Sequence, residues 1–71
     1  MKYQVTQMVG NKFECIAIID ATNRTEANEK MAQMAKERES ILYLGYYSET
    51  RPNYHDMVIA TATHTGQIIN Y

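Results

Sequence analysis

The sequence has few of the residues on which most small functional sites depend. Its 71 residues include one cysteine, three glycines, one proline and no tryptophan. The single cysteine, Cys15, excludes an internal disulfide and any metal site built from clustered cysteines. No glycine-rich loop is present that could cradle a phosphate group. The chain therefore lacks the usual sequence signs of zinc, redox or nucleotide chemistry, and no cofactor is predicted.

Long apolar runs and an excess of one charge are also missing. No apolar run approaches the roughly 18 residues that cross a bilayer, so no membrane contact is predicted. Met1 and Lys2 are followed by a mainly polar stretch, so no signal peptide is expected. Together with the missing disulfide framework, this predicts a cytoplasmic protein. The net charge of −1 gives no general attraction to nucleic acid.

The length is that of one small domain, and residues 1–71 are predicted to form it. The hydrophobic fraction of 45% is ordinary for a globular protein. A chain of about 60 residues buries only about 60% of the surface that it exposes when unfolded. Stability is therefore expected to be marginal unless the protein forms an oligomer.

One stretch, Asn23 to Arg38, has helical periodicity. Its apolar residues recur at positions i, i+4, i+7 and i+8, which are Ala27, Met31, Met34 and Ala35. Asn23 is a suitable N-cap, and Glu26 completes an asparagine version of the capping box. Thr22 is the alternative cap. This stretch predicts a single helix that packs through a narrow stripe of alanine and methionine.

Alternating and β-branched residues predict five strands around this helix: Lys2–Val9, Lys12–Asp20, Ile41–Glu49, Met57–Thr65 and Gln67–Tyr71. Gly10-Asn11 predicts a type II′ hairpin turn, and Thr65-Gly66 a second turn. Gly45 inside the third strand indicates a bulge or a close backbone approach. The order ββαβββ predicts an α+β domain of two layers, with one helix on one face of an antiparallel sheet of four to five strands.

The first hairpin also predicts a register. Regular pairing from a turn at Gly10-Asn11 gives four pairs on one face: Val9–Lys12, Gln7–Glu14, Val5–Ile16 and Tyr3–Ile18. The second strand is apolar on both faces, which predicts a position inside the sheet. The sequence leaves open which face meets the helix. The preferred set is the longer apolar one, formed by Phe13, Cys15, Ala17 and Ile19.

Histidines and carboxylates form no recognisable catalytic or metal pattern. His55 and His64 are nine residues apart, and no cysteine or acidic residue completes a metal set at a usual spacing. Acidic residues beside the strands are interpreted as solubilising rather than as an acid and base pair. We therefore predict no metal site, no catalytic residue and no enzymatic activity.

Tyrosine is the unusual signal, because four of the six tyrosines lie between positions 43 and 54. Tyrosine and arginine are enriched at the energetic centres of protein interfaces, and they also stack on unpaired bases. One helix cannot cover five strands, so the other sheet face must be polar or meet a partner. We therefore predict a binding surface of Tyr43, Tyr47, Arg51, Tyr54 and His55. The alternative is that Tyr46 belongs to the core while Tyr43 and Tyr47 merely cover the sheet.

The helix entry IDATNRTEANEKMAQMA after a hairpin, with the later turn at Thr65-Gly66, resembles the layout of small phage anti-CRISPR proteins. The resemblance is to those that combine a five-stranded antiparallel sheet with one helix. It covers most of the chain as architecture, and the helix entry as sequence. It implies a phage-encoded inhibitor in the host cytoplasm that occupies the nucleic-acid path of a CRISPR surveillance complex or covers one of its subunits.

Three functional interpretations follow. The leading one is a non-enzymatic binding protein that blocks a host defence complex through the uncovered sheet face and the loop Thr50–Asp56. The second is a small nucleic-acid-binding module that uses Tyr43, Tyr47, Arg51 and nearby lysines. The third is a symmetric oligomer, such as a homodimer, whose subunits bury their uncovered sheet faces against each other.

Overall fold

The computed structural model describes residues 1–47 and 58–71. These residues form the elements β1 (Lys2–Val9), β2 (Lys12–Asp20), α1 (Arg24–Arg38), β3 (Leu42–Tyr46), β4 (Val58–Ala62) and β5 (Ile68–Asn70). The described strands make one antiparallel sheet in the order β2-β1-β3-β4-β5. The predicted α+β class and element order are confirmed. In the described ranges, no helix has the length and apolar character needed to cross a membrane.

The start of α1 follows the predicted cap. The side-chain oxygen of Asn23 accepts a hydrogen bond from the backbone N–H of Glu26 at 2.9 Å, which satisfies one of the first-turn donors. Thr22, the alternative N-cap in the sequence, has a different role. Its hydroxyl donates to the Glu26 carboxylate at 2.8 Å, and Lys30 lies 3.5 Å from the same side chain. Asn23 therefore caps the helix, and Thr22 orients the acidic residue behind the cap.

The end of α1 has a residue in an unusual conformation. Glu39 has φ 52° and ψ 43°, in the left-handed region where glycine is the usual residue. Its N–H donates to the Lys36 carbonyl at 3.3 Å, and the Ser40 N–H donates to the Ala35 carbonyl at 3.1 Å. These two bonds form a Schellman motif. The helix therefore stops by satisfying its last carbonyls, at the cost of a strained glutamate.

The core lies between α1 and one face of the sheet. The fully buried residues of this layer are Ala27, Met31 and Ala35 of the helix and Val5, Leu42, Leu44, Ala60 and Ala62 of the strands. Small alanines on both layers let the backbones approach closely, and Met31 fills the remaining space. Met34 of the predicted stripe is only half-buried at the edge of this core. The helix stripe is thus confirmed, with Met34 at its margin.

The first hairpin has the predicted turn but not the predicted register throughout. Gly10 has φ 63° while Asn11 has no positive φ, as a type II′ turn requires. Pairing follows the prediction from the turn as far as Thr6 opposite Cys15. The register then shifts, so that Val5 pairs with Ala17. Ile16 is the extra residue of a β-bulge, and every later pair is displaced by one.

This bulge divides the set of β2 residues that we predicted to face the helix. Ala17 and Ile19 pair with Val5 and Tyr3 and pack against the core, as predicted. Phe13 and Cys15 pair with Met8 and Thr6 instead, on the opposite face. The prediction of one continuous face is therefore wrong, because one inserted residue reverses which side the following side chains take.

The predicted interior position of β2 is also wrong, because β2 forms one edge of the sheet. Strand β1 takes the interior place, since β3 returns from the helix to pair with its other side. The helix lies mainly over β3 and β4 and makes fewer contacts with β2. The apolar β2 residues Ile16, Ala17 and Ile19 are consequently only half-buried.

The two remaining glycine predictions agree with the structure. At Gly45 the register between β3 and β4 shifts, and Ile59 is the extra residue on β4, so the predicted bulge is present. Gly66 has φ 89° in the turn before β5, where the Gly66 N–H donates to the Thr63 carbonyl at 2.9 Å. A Cβ atom at Gly66 would lie 2.5 Å from Cδ of Lys36, so the Lys36 side chain lies directly over this turn.

Candidate binding surface

The sheet face opposite α1, which we call the distal face, is defined by strand alternation. Side chains that alternate with the core residues belong to it. They are Lys2, Gln4, Thr6 and Met8 of β1, Phe13, Cys15, Ile18 and Asp20 of β2, Tyr43 and Gly45 of β3, Val58 and Thr61 of β4, and Ile69 and Tyr71 at the carboxyl end. This face contains Tyr43, the first of the predicted binding residues.

The middle of the distal face is buried and largely polar. Gln4, Thr6 and Thr61 are 2%, 3% and 7% exposed. The Thr61 hydroxyl lies 2.9 Å from the hydroxyl of Tyr71, so the two share a hydrogen bond. The sequence predicts that the sheet face left uncovered by the helix is polar or meets a partner. The centre of this face is polar and closed, and its exposed side chains lie at the margins.

Tyr43 lies in the middle of this face, opposite Thr6 on one neighbouring strand and Thr61 on the other. It is half-buried. Its ring makes an edge-to-face contact with Phe13, with 5.2 Å between the ring centroids. Such pairs contribute about 0.5–1.5 kcal/mol beyond their buried area. Tyr43 thus has a structural role in tying β2 to β3, in addition to any role in binding.

Tyr46 and Tyr47 follow at the end of β3. The Tyr46 ring lies 5.5 Å from the Tyr3 ring and is 40% exposed, so it borders the core rather than filling it. The backbone N–H of Tyr47 donates to the Lys2 carbonyl at 3.2 Å, and its side chain is half-buried. Continued alternation gives Tyr47 the same side as Tyr43, about 13 Å further along the strand.

The other three residues of the predicted binding surface are Arg51, Tyr54 and His55. They lie outside the described residues, as does the whole of the predicted loop Thr50–Asp56. The structure therefore places two of the five predicted residues, Tyr43 in β3 and Tyr47 directly after that strand.

Four exposed apolar side chains on the distal face were missed by the sequence reasoning. They are Met8, Ile18, Ile69 and Tyr71, with exposed fractions of 48%, 49%, 45% and 70%. The first two lie at the β2 side of the face, and the last two at the β5 side. Met8 was identifiable from strand alternation alone. Ile18 was not, because its side depends on the bulge at Ile16.

An open recess of about 490 Å³ lies where the first hairpin turn meets the end of α1. It is lined by Met8, Gly10, Glu39, Ser40, Ile41, Tyr43 and His64. The strained Glu39 thus shares a cavity with His64, one of the two histidines considered as metal ligands. Within residues 1–47 and 58–71, no group of three or more histidine, cysteine or acidic residues is arranged to hold a metal ion.

The resolved electrostatic shifts concern two carboxyls near the start of α1, Asp20 at the end of β2 and Glu26 in the first turn of the helix. The N-terminal ammonium hydrogen-bonds to Asp20 at 3.1 Å, and this bond and its charge lower the pKa of that carboxyl. A hydrogen bond from Thr22 lowers the pKa of Glu26, with a further contribution from the charge of Lys30. The Asp20 side chain is exposed and the Glu26 side chain is half-buried, and both take part in contacts around the start of the helix.

Comparisons with known protein families, with characterised proteins and with solved structures find no match to this chain. The fold class, an α+β fold in which the described residues form one antiparallel sheet with α1 over one face, is therefore stated from the structure alone. The resemblance to anti-CRISPR proteins stays a prediction.

Proposed function

We propose that this protein is a non-enzymatic binding protein that docks onto a folded protein partner through the margins of its distal face. One observation carries the proposal: Met8, Ile18, Ile69 and Tyr71 are apolar, lie on one face, and are each 45% exposed or more. Larger exposed apolar patches on small proteins mark contact sites, and these side chains supply apolar surface at two margins of one face. Tyr43 lies between the two margins and supplies a rigid aromatic centre.

The charge distribution favours a protein partner over a nucleic acid. In the described chain, Lys2 is the cation that alternation assigns to the distal face. Four other cations, Arg24, Lys30, Lys36 and Arg38, belong to α1, where Glu26, Glu29 and Glu37 are interspersed with them. Nucleic-acid surfaces require clustered positive charge that neutralises phosphates. Binding of oligonucleotides is therefore the alternative outcome of the experiment rather than a second proposal.

A CRISPR surveillance complex is the partner class that we propose for this surface. The support is architectural, since a five-stranded antiparallel sheet with one helix agrees with the layout of the inhibitors that the sequence resembles. In this proposal the protein is phage-encoded and acts in the host cytoplasm. It inhibits the complex by covering a subunit surface.

The test compares two neighbouring residues of one strand. Met8 and Val9 are 48% and 49% exposed, and alternation gives them opposite sides. We expect Met8→Asp to weaken partner binding by about 2 kcal/mol or more, as at an interface hot spot, and Val9→Asp to leave it nearly unchanged. Both variants should retain the wild-type circular dichroism spectrum, because both sites are exposed.

Binding is measured with the immobilised protein, first against purified surveillance complexes and then against host extract with mass-spectrometric identification. Equal losses in the two variants would contradict docking through the distal face. Recovery of labelled single-stranded oligonucleotide, with affinity that falls steeply as salt rises, would replace the proposal with the nucleic-acid reading. Retention of extract proteins without any surveillance complex would keep the binding surface and remove the anti-CRISPR assignment.

A further inference from the structure

The recess of about 490 Å³ beside the first hairpin turn has walls of two kinds. Met8, Ile41 and Tyr43 supply apolar and aromatic surface, Glu39 supplies a carboxylate, and His64 adds a polar ring. Among the described residues that line the recess, no lysine or arginine accompanies this carboxylate. A group that enters the recess therefore meets an apolar wall together with one negative charge.

The glutamate at position 39 is unfavourable for folding in two ways. Glu39 has φ 52°, in the left-handed region where glycine is the usual residue. Its carboxylate also lies at the carboxyl end of α1, where the helix dipole disfavours negative charge. Conflicts between a side chain and its local structure are concentrated at functional sites. A use for the carboxylate in the recess would explain both conflicts.

Neither cation of the last helical turn forms an ion pair with Glu39. The guanidinium of Arg38 donates to Oε1 of Gln7 at 3.1 Å, and the aliphatic part of Lys36 lies over Gly66. In the part of the chain that the structure describes, no ion pair includes Glu39. Its carboxylate is therefore available to a cation from outside the chain.

We propose that the recess binds an arginine side chain presented by the protein partner. A guanidinium pairs with a carboxylate such as Glu39 through two parallel hydrogen bonds, and it also stacks on aromatic rings, whereas a lysine ammonium has no planar fork. The aliphatic stem of the arginine would pack against Met8 and Ile41. Tyr43 is held by its edge-to-face contact with Phe13, so its ring is in place before the arginine arrives.

The position and shape of the recess favour a side chain of a partner over a free small molecule. Met8 and Tyr43 belong both to the recess and to the distal face, so an arginine bound here lies within the docking surface proposed above. The recess is open to solvent, whereas small-molecule sites bury most of their ligand. The partner that docks through the distal face is the source of the arginine, so this site rests on the proposed function.

A titration without any partner protein tests the site. An isotope-labelled sample of the full chain is titrated with Nα-acetyl-arginine N-methylamide, and the amide chemical shifts are followed by NMR. The matched probe is the citrulline derivative, in which a neutral urea replaces the guanidinium. We expect saturable shifts at Ser40, Ile41 and His64 with the arginine probe, and binding of the citrulline probe that is weaker by about threefold or more.

Two variants separate the recess from the general charge of the helix end. Glu39→Gln removes the charge and nearly keeps the shape, so it should weaken binding of the arginine probe about threefold or more. Glu37→Gln is the matched control, because Glu37 is exposed in the last turn of α1 and does not line the recess. It should leave the affinity for the arginine probe unchanged.

Four outcomes would each overturn the arginine site. They are the absence of saturable shifts, equal affinity for the two probes, equal affinity of the wild-type protein and Glu39→Gln, and an equal loss in Glu37→Gln. Because the titration contains no partner, such a result removes the arginine and does not bear on docking through the distal face. Docking is judged separately, by the comparison of Met8→Asp with Val9→Asp.

Discussion

The two faces of the sheet carry different kinds of side chain, although the same strands supply both. Toward α1, the strands present Val5, Leu42 and Leu44, all fully buried. Away from it they present a buried polar centre, with Thr6 and Thr61, between exposed apolar margins. The helix face holds the fold together through apolar burial. The distal face exposes apolar side chains at its margins, so substitutions there should disturb folding less than substitutions on the helix face.

The largest effect is expected at the centre of the helix face. Met31→Asp buries a charge without a partner and should destabilise the fold by about 3–5 kcal/mol, enough to unfold a domain of this size. Circular dichroism should show no cooperative thermal transition. Met34→Asp is the control, because Met34 is only half-buried on the same helix. A native melting curve for Met31→Asp would show that the buried stripe is assigned wrongly.

The next prediction compares neighbours on β3 that point to opposite faces. Leu44→Ala should cost about 2–5 kcal/mol, since it leaves a cavity in the core. Tyr43→Ser should cost about 1–2 kcal/mol, for the lost ring contact with Phe13 and partial burial. In the double variant Tyr43→Ser/Tyr47→Ser, the fold should survive while partner binding falls. Urea unfolding and binding measured on the same samples distinguish the two effects. Equal stability losses at Leu44 and Tyr43 would mean that both faces belong to the core.

A smaller effect of opposite sign is expected at the end of the helix. Glu39 adopts the left-handed conformation, which costs a non-glycine residue about 1 kcal/mol. Glu39→Gly should therefore stabilise the protein by about 0.5–1 kcal/mol, with a higher midpoint of thermal unfolding. Because Glu39 also lines the recess with His64, the variant should be assayed for binding as well. A lower midpoint would exclude strain at this position.

The smallest predicted effect is on the pH dependence of stability. The Thr22 hydroxyl lowers the folded-state pKa of Glu26 from its ordinary value of 4.5. A lowered pKa stabilises the folded form above the unfolded pKa, and this contribution is lost as the pH falls through the folded pKa. Thr22→Val removes the hydroxyl but keeps the shape. It should flatten the decrease in stability below pH 4.5, measured by urea unfolding at several pH values. An equal decrease in stability with falling pH for the wild-type protein and for Thr22→Val would contradict the prediction.

Much of the helix face was predictable because apolar and charged residues occupy clearly different positions in its sequence pattern. Ala27 and Met31 alternate with charged residues at helical spacing, and Asn23 has the chemistry of a cap. Gly10 and Gly45 marked a turn and a bulge for conformational reasons that act locally. Such features depend on neighbours in the sequence, so no knowledge of the tertiary structure was needed to predict them.

The position and register of β2 were not predictable, because much of the sequence of this strand shows no contrast between apolar and polar positions. From Cys15 to Ile19 every residue is apolar, so shifting the alternation by one changes nothing that the sequence displays. The bulge at Ile16 is thus invisible in the pattern, as is the side taken by Ile18. Whether β1 or β2 lies inside the sheet depends on which of the two strands the chain pairs with after the helix. Of the candidate site, Tyr43 and Tyr47 could be assigned to one side by alternation, whereas the buried polar centre beside them could not.

The pairing of β1 with β3 has a consequence for how the molecule folds. Strands β1 and β2 form one hairpin and β3 to β5 form another antiparallel unit, each connected in sequence order. Among the described residues, the ladder from Tyr3 opposite Tyr46 to Gln7 opposite Leu42 joins the two units. Pairings between segments far apart in sequence form slowly, because the intervening chain must first be ordered. We therefore expect the pairing of β1 with β3 to limit the folding rate, with the local hairpins forming earlier.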